Sequence, residues 1–532
     1  MVLVSASVWL FLRVSRLTRR YLVGTRLRGP PRANWFLGQG HMLLASKDAG
    51  SLFEGWEKEY GSVYALPTTF GMSGIVLCDP KAVSHFYQYE TARYDKEEVA
   101  KSFFKASTGD SLIIAVGDSH KRQRKAMTPA FSNAAIRNVT GTFYDSAYKV
   151  TDAWTSILEE SDSSIIEVQG WMSRVSLDSI GIAGFSHDFG TIDGKHSDVA
   201  DVLDRFTSTK PSLAAIAVTI LGPIFPALKH VPTNMLQLFK NLNSTVEAAA
   251  KELIERVRQE KMGLMPGRED KSVIGLLIKS RAEGAELYMS EDEVLSQIKL
   301  LLVAGYETTS ISLSWALVEL AQNQSIQDKL RGELLHFSGN DPTYEQLTNG
   351  LPYLDAVVCE ILRVHSPAQE TTRIATEGDI IPLSEPITDA YGTLMDHVVI
   401  EKGTQVTVSI EHMNRSEKLW GPDAKRFVPE RWLNANSNSD VGGVIVGLDP
   451  AYRAREIQGY KHILSFADGP RMCLGRAFAL AEFKAVLCTL VRNFKFEMRD
   501  EKAEVEIARG ILARPRIVGE EKVDLPLRVT RL

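Results

Sequence analysis

A mainly α fold with a small β-rich lobe is what this sequence predicts, and three observations carry the prediction. Apolar residues recur at helical spacing through Leu295, Ile298, Leu301 and Leu302 and onward to Leu320, behind Ser290-Glu-Asp-Glu293, which has the form of a capping box. No proline interrupts Glu291 to Gln327, so the helix predicted there is about 50 Å long, enough to cross a large domain. Short β-type runs lie toward the two ends, at 62–65 and 74–77 and again at 398–400 and 405–409. With 44% hydrophobic and 24% charged residues the chain has an ordinary globular composition, and a core of that size needs no disulfides.

Taken in order, the elements begin with an unusual N-terminus. Residues 1–47 contain no acidic side chain, Val2 to Leu12 are apolar or small, and seven arginines fall between Arg13 and Arg32. The charge follows the apolar run, whereas a cleaved secretory signal carries it in front. That order predicts an uncleaved anchor over 1–28 with the bulk of the protein on the cytosolic side. A dozen apolar residues fall short of the roughly 20 that span a bilayer, so the segment either reaches across with snorkelling arginines or lies on the interface. A mitochondrial presequence is the alternative, because the region is arginine-rich and acid-free. Gly29-Pro30-Pro31 reads as a stiff hinge, and 29–532 as the folded body. The apolar stretch Leu213–Leu228 is broken by Gly222-Pro223 and Pro226 and reads as buried core or a membrane-grazing surface. Pro352 opens a helix running to about Val364. Residues 263–271 and 434–443 read as polar loops.

The four cysteines, Cys78, Cys359, Cys473 and Cys488, have no paired spacing, as expected in a reducing compartment. With no CxxC and no Cys/His cluster in the sequence, no zinc site is suggested. A net charge of −5 implies no general attraction to nucleic acid.

The chemistry concentrates in one decapeptide, Phe466-Ala-Asp-Gly469-Pro-Arg471-Met-Cys473-Leu-Gly475. It sets a cysteine in a glycine-punctuated loop, with a cation two residues before it and an apolar run behind it. The loop resembles the haem-thiolate signature of cytochromes P450, Phe-x-x-Gly-x-Arg-x-Cys-x-Gly, and all five fixed positions are met. The alternative is an ordinary buried thiol. The resemblance implies a haem b with Cys473 as its thiolate and iron ligand. It implies that Gly469 and Gly475 let the backbone approach the porphyrin or take positive φ, that Arg471 pairs with a propionate, and that Phe466 packs beside the sulfur.

Other segments match the family in its order. Ala304-Gly305-Tyr306-Glu307-Thr308-Thr309 lies inside the long helix. A mid-helix glycine costs about 1 kcal/mol relative to alanine, and close approach of a flat cofactor would explain Gly305. Glu307 and Thr308 form an acid–alcohol pair suited to moving protons; the plainer reading is a threonine hydroxyl bonded to the i−4 carbonyl. Glu360 and Arg363 share a helix face, and with Arg431 of Phe427-Val-Pro-Glu-Arg431-Trp they resemble the family's buried structural Glu–Arg–Arg network. His120-Lys-Arg-Gln-Arg124 resembles the helix that supplies propionate donors, with His120 where tryptophan is usual; a solvated basic face is the alternative. Arg373 matches the arginine expected at the other propionate. Val303, Ala304, Ala368, Gln369, Glu370, Thr371 and Thr372 are the pocket positions implied.

The resemblance, to microsomal P450s with fungal-like phrasing, runs from about Gly29 to the end. It implies the cytochrome P450 fold and monooxygenation of an apolar terpenoid, fatty acyl or aromatic substrate with O₂. Electrons would come from a separate NADPH–cytochrome P450 reductase, with cytochrome b5 as a second partner, at the endoplasmic reticulum membrane. Two rivals are a haem-thiolate isomerase or dehydratase, which turns over without reductase, and a non-catalytic haem binder, which consumes no NADPH.

Overall fold

The computed structural model describes residues 24–159, 161–209, 231–261, 287–337, 339–433, 452–520 and 522–532, with isolated positions between 212 and 222 and at 273, 275 and 448. The anchor expected before Gly24, most of Leu213–Leu228 and the two loops expected at 263–271 and 434–443 lie outside the described residues.

The helices that matter below are α1 (Ala49–Tyr60), α2 (Gly117–Met127), α3 (Asn133–Ile157), α4 (Val168–Phe185), α5 (Glu291–Gln322), α6 (Pro352–Val364), α7 (Ile410–Arg415) and α8 (Arg476–Asn493). The strands are β1 (Val63–Pro67), β2 (Ser73–Leu77), β3 (Tyr94–Asp95), β4 (Ser163–Glu167), β5 (Glu370–Ala375), β6 (Asp379–Thr388), β7 (Leu394–Ile400), β8 (Gln405–Ser409), β9 (Phe494–Met498), β10 (Val505–Ala508), β11 (Arg514–Ile517) and β12 (Pro526–Arg531). The chain divides into two compact units. One draws on Met1–Glu97, Ala368–Lys425 and Pro450–Met472, the other on Glu98–Pro367, Arg426–Asp449 and Cys473–Leu532.

The first unit is the β-rich lobe. Its main sheet has the order β1-β2-β8-β5-β3. β1 and β2 form a local antiparallel hairpin, whereas β8 joins β2 in parallel from more than three hundred residues away. β5 then pairs antiparallel with β8, Thr372 opposite Thr407. All four runs expected as strands are strands, but half of this sheet comes from 370–409, so the lobe is not simply N-terminal. β6 and β7 form a second sheet.

One boundary moves. Residues 24–28, assigned by sequence to the anchor, belong to this unit. Thr25 N donates to Val399 O at 2.9 Å, Ala390 N to Arg26 O at 2.7 Å and Ala65 N to Arg28 O at 2.8 Å. Gly29 is no free hinge either, since a Cβ there would stand 2.0 Å from Ala65 O. A chain begun at Gly29 is therefore expected to unfold more easily than one begun at Gly24, by about 1–3 kcal/mol for the lost backbone bonds. Equal thermal midpoints for the two truncations would return 24–28 to the anchor.

The second unit is helical, with β4-β12-β9 and β10-β11 as its sheets. Its central helix is α5. The Ser290 capping box forms on both sides, Ser290 accepting from Glu293 N and Glu293 from Ser290 N. The helix stops at Gln322, not Gln327. Asn323 leaves helical geometry at φ −121°, ψ 72°, and its side chain donates to Glu319 O at 2.8 Å, the competition with main-chain bonding that makes asparagine a helix terminator. A new helix restarts at Gln324. Among the described residues α5 is the one helix long and apolar enough to cross a membrane, but 72% of its most apolar stretch is buried in protein, which makes it a core helix. α4 packs on α5, and α3 packs on α8 through the edge-to-face pair Phe143–Phe478, 4.9 Å between centroids.

Candidate functional site

Cys473 stands three residues ahead of α8, near the end of the signature loop, in the second unit. It is exposed, yet burial is the strongest influence on its thiol and pushes the pKa up, opposed by the Gly475 N–H and by the charges of Arg124 and Arg476. The sulfur is open to a bound group while protein surrounds it. Gly475 has φ −81°, so it does not need positive φ. A Cβ there would find its nearest neighbour, Phe131 Cε1, at 3.9 Å, leaving the backbone approachable. Arg124 of α2 is half-buried; burial lowers its pKa and Cys473 opposes the shift. His120, one turn earlier, is buried.

The rest of the loop belongs to the first unit. Gly469 takes φ +64°, and a Cβ there would meet Tyr87 O at 2.3 Å, so only glycine fits. Ala467 also sits at φ +57°, a strained conformation for a residue with a Cβ. Phe466 is half-buried against Tyr460, 5.8 Å between ring centroids. Arg373 on β5 pairs with buried Glu90, while its Nε has no partner. Lys96, which the sequence reading did not single out, is also buried here. Burial drives its pKa well down, and Arg373 and Arg471 add to the shift. Glu90 and Asp95 oppose the shift of Lys96, so three cations stand against two carboxylates, with an orphaned guanidinium N–H among them.

These observations fit a haem. Within the second unit an iron would take the accessible sulfur; within the first, carboxylates would satisfy Arg373 Nε and offset the Lys96, Arg373 and Arg471 charges.

On α5 the expected acid–alcohol pair is split. Glu307 is buried and accepts from Arg514 Nε of β11 at 2.9 Å. Burial pushes its carboxyl up and Arg514 opposes that. Thr308 Oγ1 donates to Ala304 O at 2.9 Å, the back-bonding arrangement. Gly305 has a reason other than cofactor approach, because a Cβ would press on Ile180 Cγ1 of α4 at 3.0 Å. Ala304 is exposed and Val303 half-buried. In the first unit Glu370 is exposed, while Ala368, Gln369, Thr371 and Thr372 are half-buried. Thr372 Oγ1 lies 3.0 Å from Thr407 Oγ1, so this threonine is occupied within the sheet.

Besides Lys96, two groups were missed. Arg514 carries no local signal, because its partner lies two hundred residues away. Glu482 of α8 is 1% exposed. Burial drives its pKa well above the usual carboxyl range, opposed by Thr309, Ser179 and Ser176. Its Oε1 and the two serine hydroxyls are close without a direct hydrogen bond of good geometry, the polarity a buried water would bridge. An acid inside the apolar run after Cys473 was the available signal.

The Glu–Arg–Arg network forms in the second unit. Glu360 accepts from Arg363 Nε and Nη2 at 2.8 Å each, from Arg431 Nε at 2.8 Å, from Val428 N at 2.9 Å and from Trp432 Nε1 at 2.9 Å.

A family model described as Cytochrome P450 matches residues 28–517. Among similar proteins, cytochrome P450 monooxygenase claQ of Ampulloclitocybe clavipes is 50% identical over 99% of this chain and 96% of its own length. Cytochrome P450 monooxygenase claP of the same fungus is 49% identical over the same shares. Cytochrome P450 monooxygenase 205 of Postia placenta is 32% identical over 94% of this chain and 92% of its own. The chain therefore belongs to the cytochrome P450 family, the haem-thiolate monooxygenases.

Proposed function

We propose that this chain inserts one oxygen atom of O₂ into an apolar, membrane-partitioned substrate such as a terpenoid, fatty acyl chain or aromatic metabolite. The observation that carries the reading is the accessible but desolvated Cys473 thiol beside the Gly475 N–H and Arg124. Haem bound here supplies the oxygen activation and the C–H or C=C chemistry. The protein's own part is ligation, charge balance and proton supply. Cys473 is the thiolate ligand. Arg124, Arg373, Arg471 and Lys96 balance the propionates, and His120 offers a further donor. Electrons come from a separate NADPH-dependent reductase, with cytochrome b5 as a second donor, at the cytosolic face of the endoplasmic reticulum. The acid-free, arginine-rich segment before Gly24 supports that location over a mitochondrial one by the order of its charges. The polar run Gln369–Thr372 favours a substrate that already carries oxygen.

Proton delivery falls to Thr308 and Glu307. The Thr308 hydroxyl uses its hydrogen on Ala304 O and keeps its lone pairs open. It hands on a proton by accepting one and releasing its own. A Glu307 carboxyl raised by burial is suited to supply it, once it loosens from Arg514. Thr308→Ala is expected to keep consuming NADPH with reductase while product per NADPH falls about 10²-fold and hydrogen peroxide rises. Thr309→Ala, turned about 100° around the helix, should do less. Unchanged coupling in Thr308→Ala leaves the residue a helix-bending one. Turnover without reductase replaces the monooxygenase reading with the isomerase one.

A further inference from the structure

We propose that the β-rich unit carries a divalent-metal site for zinc, formed by Glu57, Cys78 and His412 and separate from the haem ligands. Glu57 lies in the last turn of α1, Cys78 directly follows β2, and His412 is on α7. Their ligand atoms all lie within 4.8 Å of one another. His412 Nε2 and Glu57 Oε2 are 2.6 Å apart. Cys78 is 3% and His412 1% exposed, and the Glu57 side chain 10%. The sequence masked this set, since its members are far apart along the chain and form no local spacing.

Four physical arguments favour a metal. A thiolate, an imidazole and a carboxylate are the donor types zinc takes, and three protein ligands with a water complete a tetrahedron. Zinc–ligand bonds of about 2.0–2.3 Å put tetrahedral ligand atoms about 3.3–3.6 Å apart, so closure asks for a movement of about 1 Å, within rotamer adjustment. Zinc with one thiolate, one carboxylate and a neutral imidazole has no net charge, which suits burial; zinc binding sends the Cys78 thiol proton to solvent. Finally, Glu57 also lines a cleft of about 390 Å³ with Tyr60, Ser62 and Glu385. Through Glu57 that cleft gives the side from which an ion and a water ligand would approach.

The positions are well held. Cys78 N donates to Ser62 O at 2.8 Å and His412 N to Ser409 Oγ at 3.2 Å. Arg415 of α7 reaches Asp48, the N-cap of α1, at 3.4 Å. A bound ion would tie α1, β2 and α7 together within one unit.

The test uses the full-length holoenzyme without a polyhistidine tag, equilibrated with zinc and passed over a chelating resin. Elemental analysis reads zinc against haem iron, and about one zinc per iron is expected. Cys78→Ala and His412→Gln should lose zinc while keeping haem, with affinity down more than about 100-fold; Cys488→Ala, a buried cysteine of the other unit, should keep it. Less than about 0.1 zinc per iron in the wild type overturns the site, as does zinc retained in Cys78→Ala. If the buried variants fail to fold, Glu57→Gln at the cleft decides, because undiminished zinc there also overturns the proposal.

Discussion

Cys473→Ala is expected to lose the strongly red-shifted Soret band of the reduced, carbon-monoxide-bound protein, and its monooxygenase activity with it. The thiolate is what gives that band and what pushes electron density toward oxygen, and an alanine offers no ligand. Cys473 is exposed; burial pushes its thiol up, and the Gly475 N–H and the Arg124 and Arg476 charges oppose that shift and are placed to hold a ligating thiolate. Cys359 and Cys488 are 0% exposed, and burial pushes the Cys488 thiol up to about 12. Cys359→Ala and Cys488→Ala should therefore keep the band. The loop is rigid enough to survive the substitution: Gly469 is wedged against Tyr87, and Ala467 N is tied to Leu464 O at 2.8 Å. Apo protein from Cys473→Ala should keep its far-ultraviolet spectrum. A retained red-shifted band in Cys473→Ala would place the ligand elsewhere.

What could be read in the sequence was what local physics determines. The capping box at Ser290, the proline that starts α6 and the glycine at 469 each answer to a few neighbouring residues, and each is where it was expected. The signature loop was legible for the same reason, since its spacing is continuous. What the sequence hid is non-local. Gly305 has a tight neighbour, Ile180, that sits on another helix and left no trace in the local sequence. Glu307 and Thr308 are adjacent, but their side chains diverge by about 100° around the helix, and no local signal shows that Arg514 of β11 binds Glu307. Asn323 ended α5 five residues early through a side-chain bond that a hydrophobic pattern does not register. Lys96 drew no attention because a lone lysine is ordinary until burial beside Arg373 and Arg471 makes it costly. The parallel pairing of β2 with β8 depends on chain closure over more than three hundred residues, and it carries α7 to the lobe where His412 meets Glu57.

The buried network at Glu360 supplies the largest expected loss of stability. An i,i+3 ion pair on a solvated helix contributes only a few tenths of a kcal/mol, and the sequence allows that reading. Here Glu360 and Arg363 are 0% exposed and Arg431 5%. Burial alone pushes the Glu360 carboxyl up, but Arg363, Arg431 and the Val428 N–H outweigh it and hold the pKa below the ordinary value. The carboxylate is thus charged in the fold and fully committed to its donors. Removing one partner leaves the others buried without compensation, at about 3–5 kcal/mol. Arg431→Ala strands part of that carboxylate; Glu360→Ala strands two guanidinium groups and the Trp432 N–H, and is the worse of the two. Glu360→Gln keeps the volume but turns an amide N–H₂ toward Arg363, so it should also lose several kcal/mol, toward the lower end of that range. The sign of the pH dependence follows from the lowered pKa. The contribution is complete above the unfolded carboxyl range, near pH 5, and is lost as pH falls through the lower folded value. Wild type should thus lose stability on acidification below pH 5 more steeply than Glu360→Gln does. Because haem loss accompanies unfolding, the readout is the thermal midpoint of the carbon-monoxide band together with far-ultraviolet ellipticity. Glu360→Ala is expected to accumulate little haem-loaded protein, and Arg431→Lys to recover only part of the loss, since an ammonium offers no planar guanidinium to the shared carboxylate. A midpoint for Arg431→Ala within about 1 °C of wild type would reduce the network to the weak surface pair that spacing alone describes.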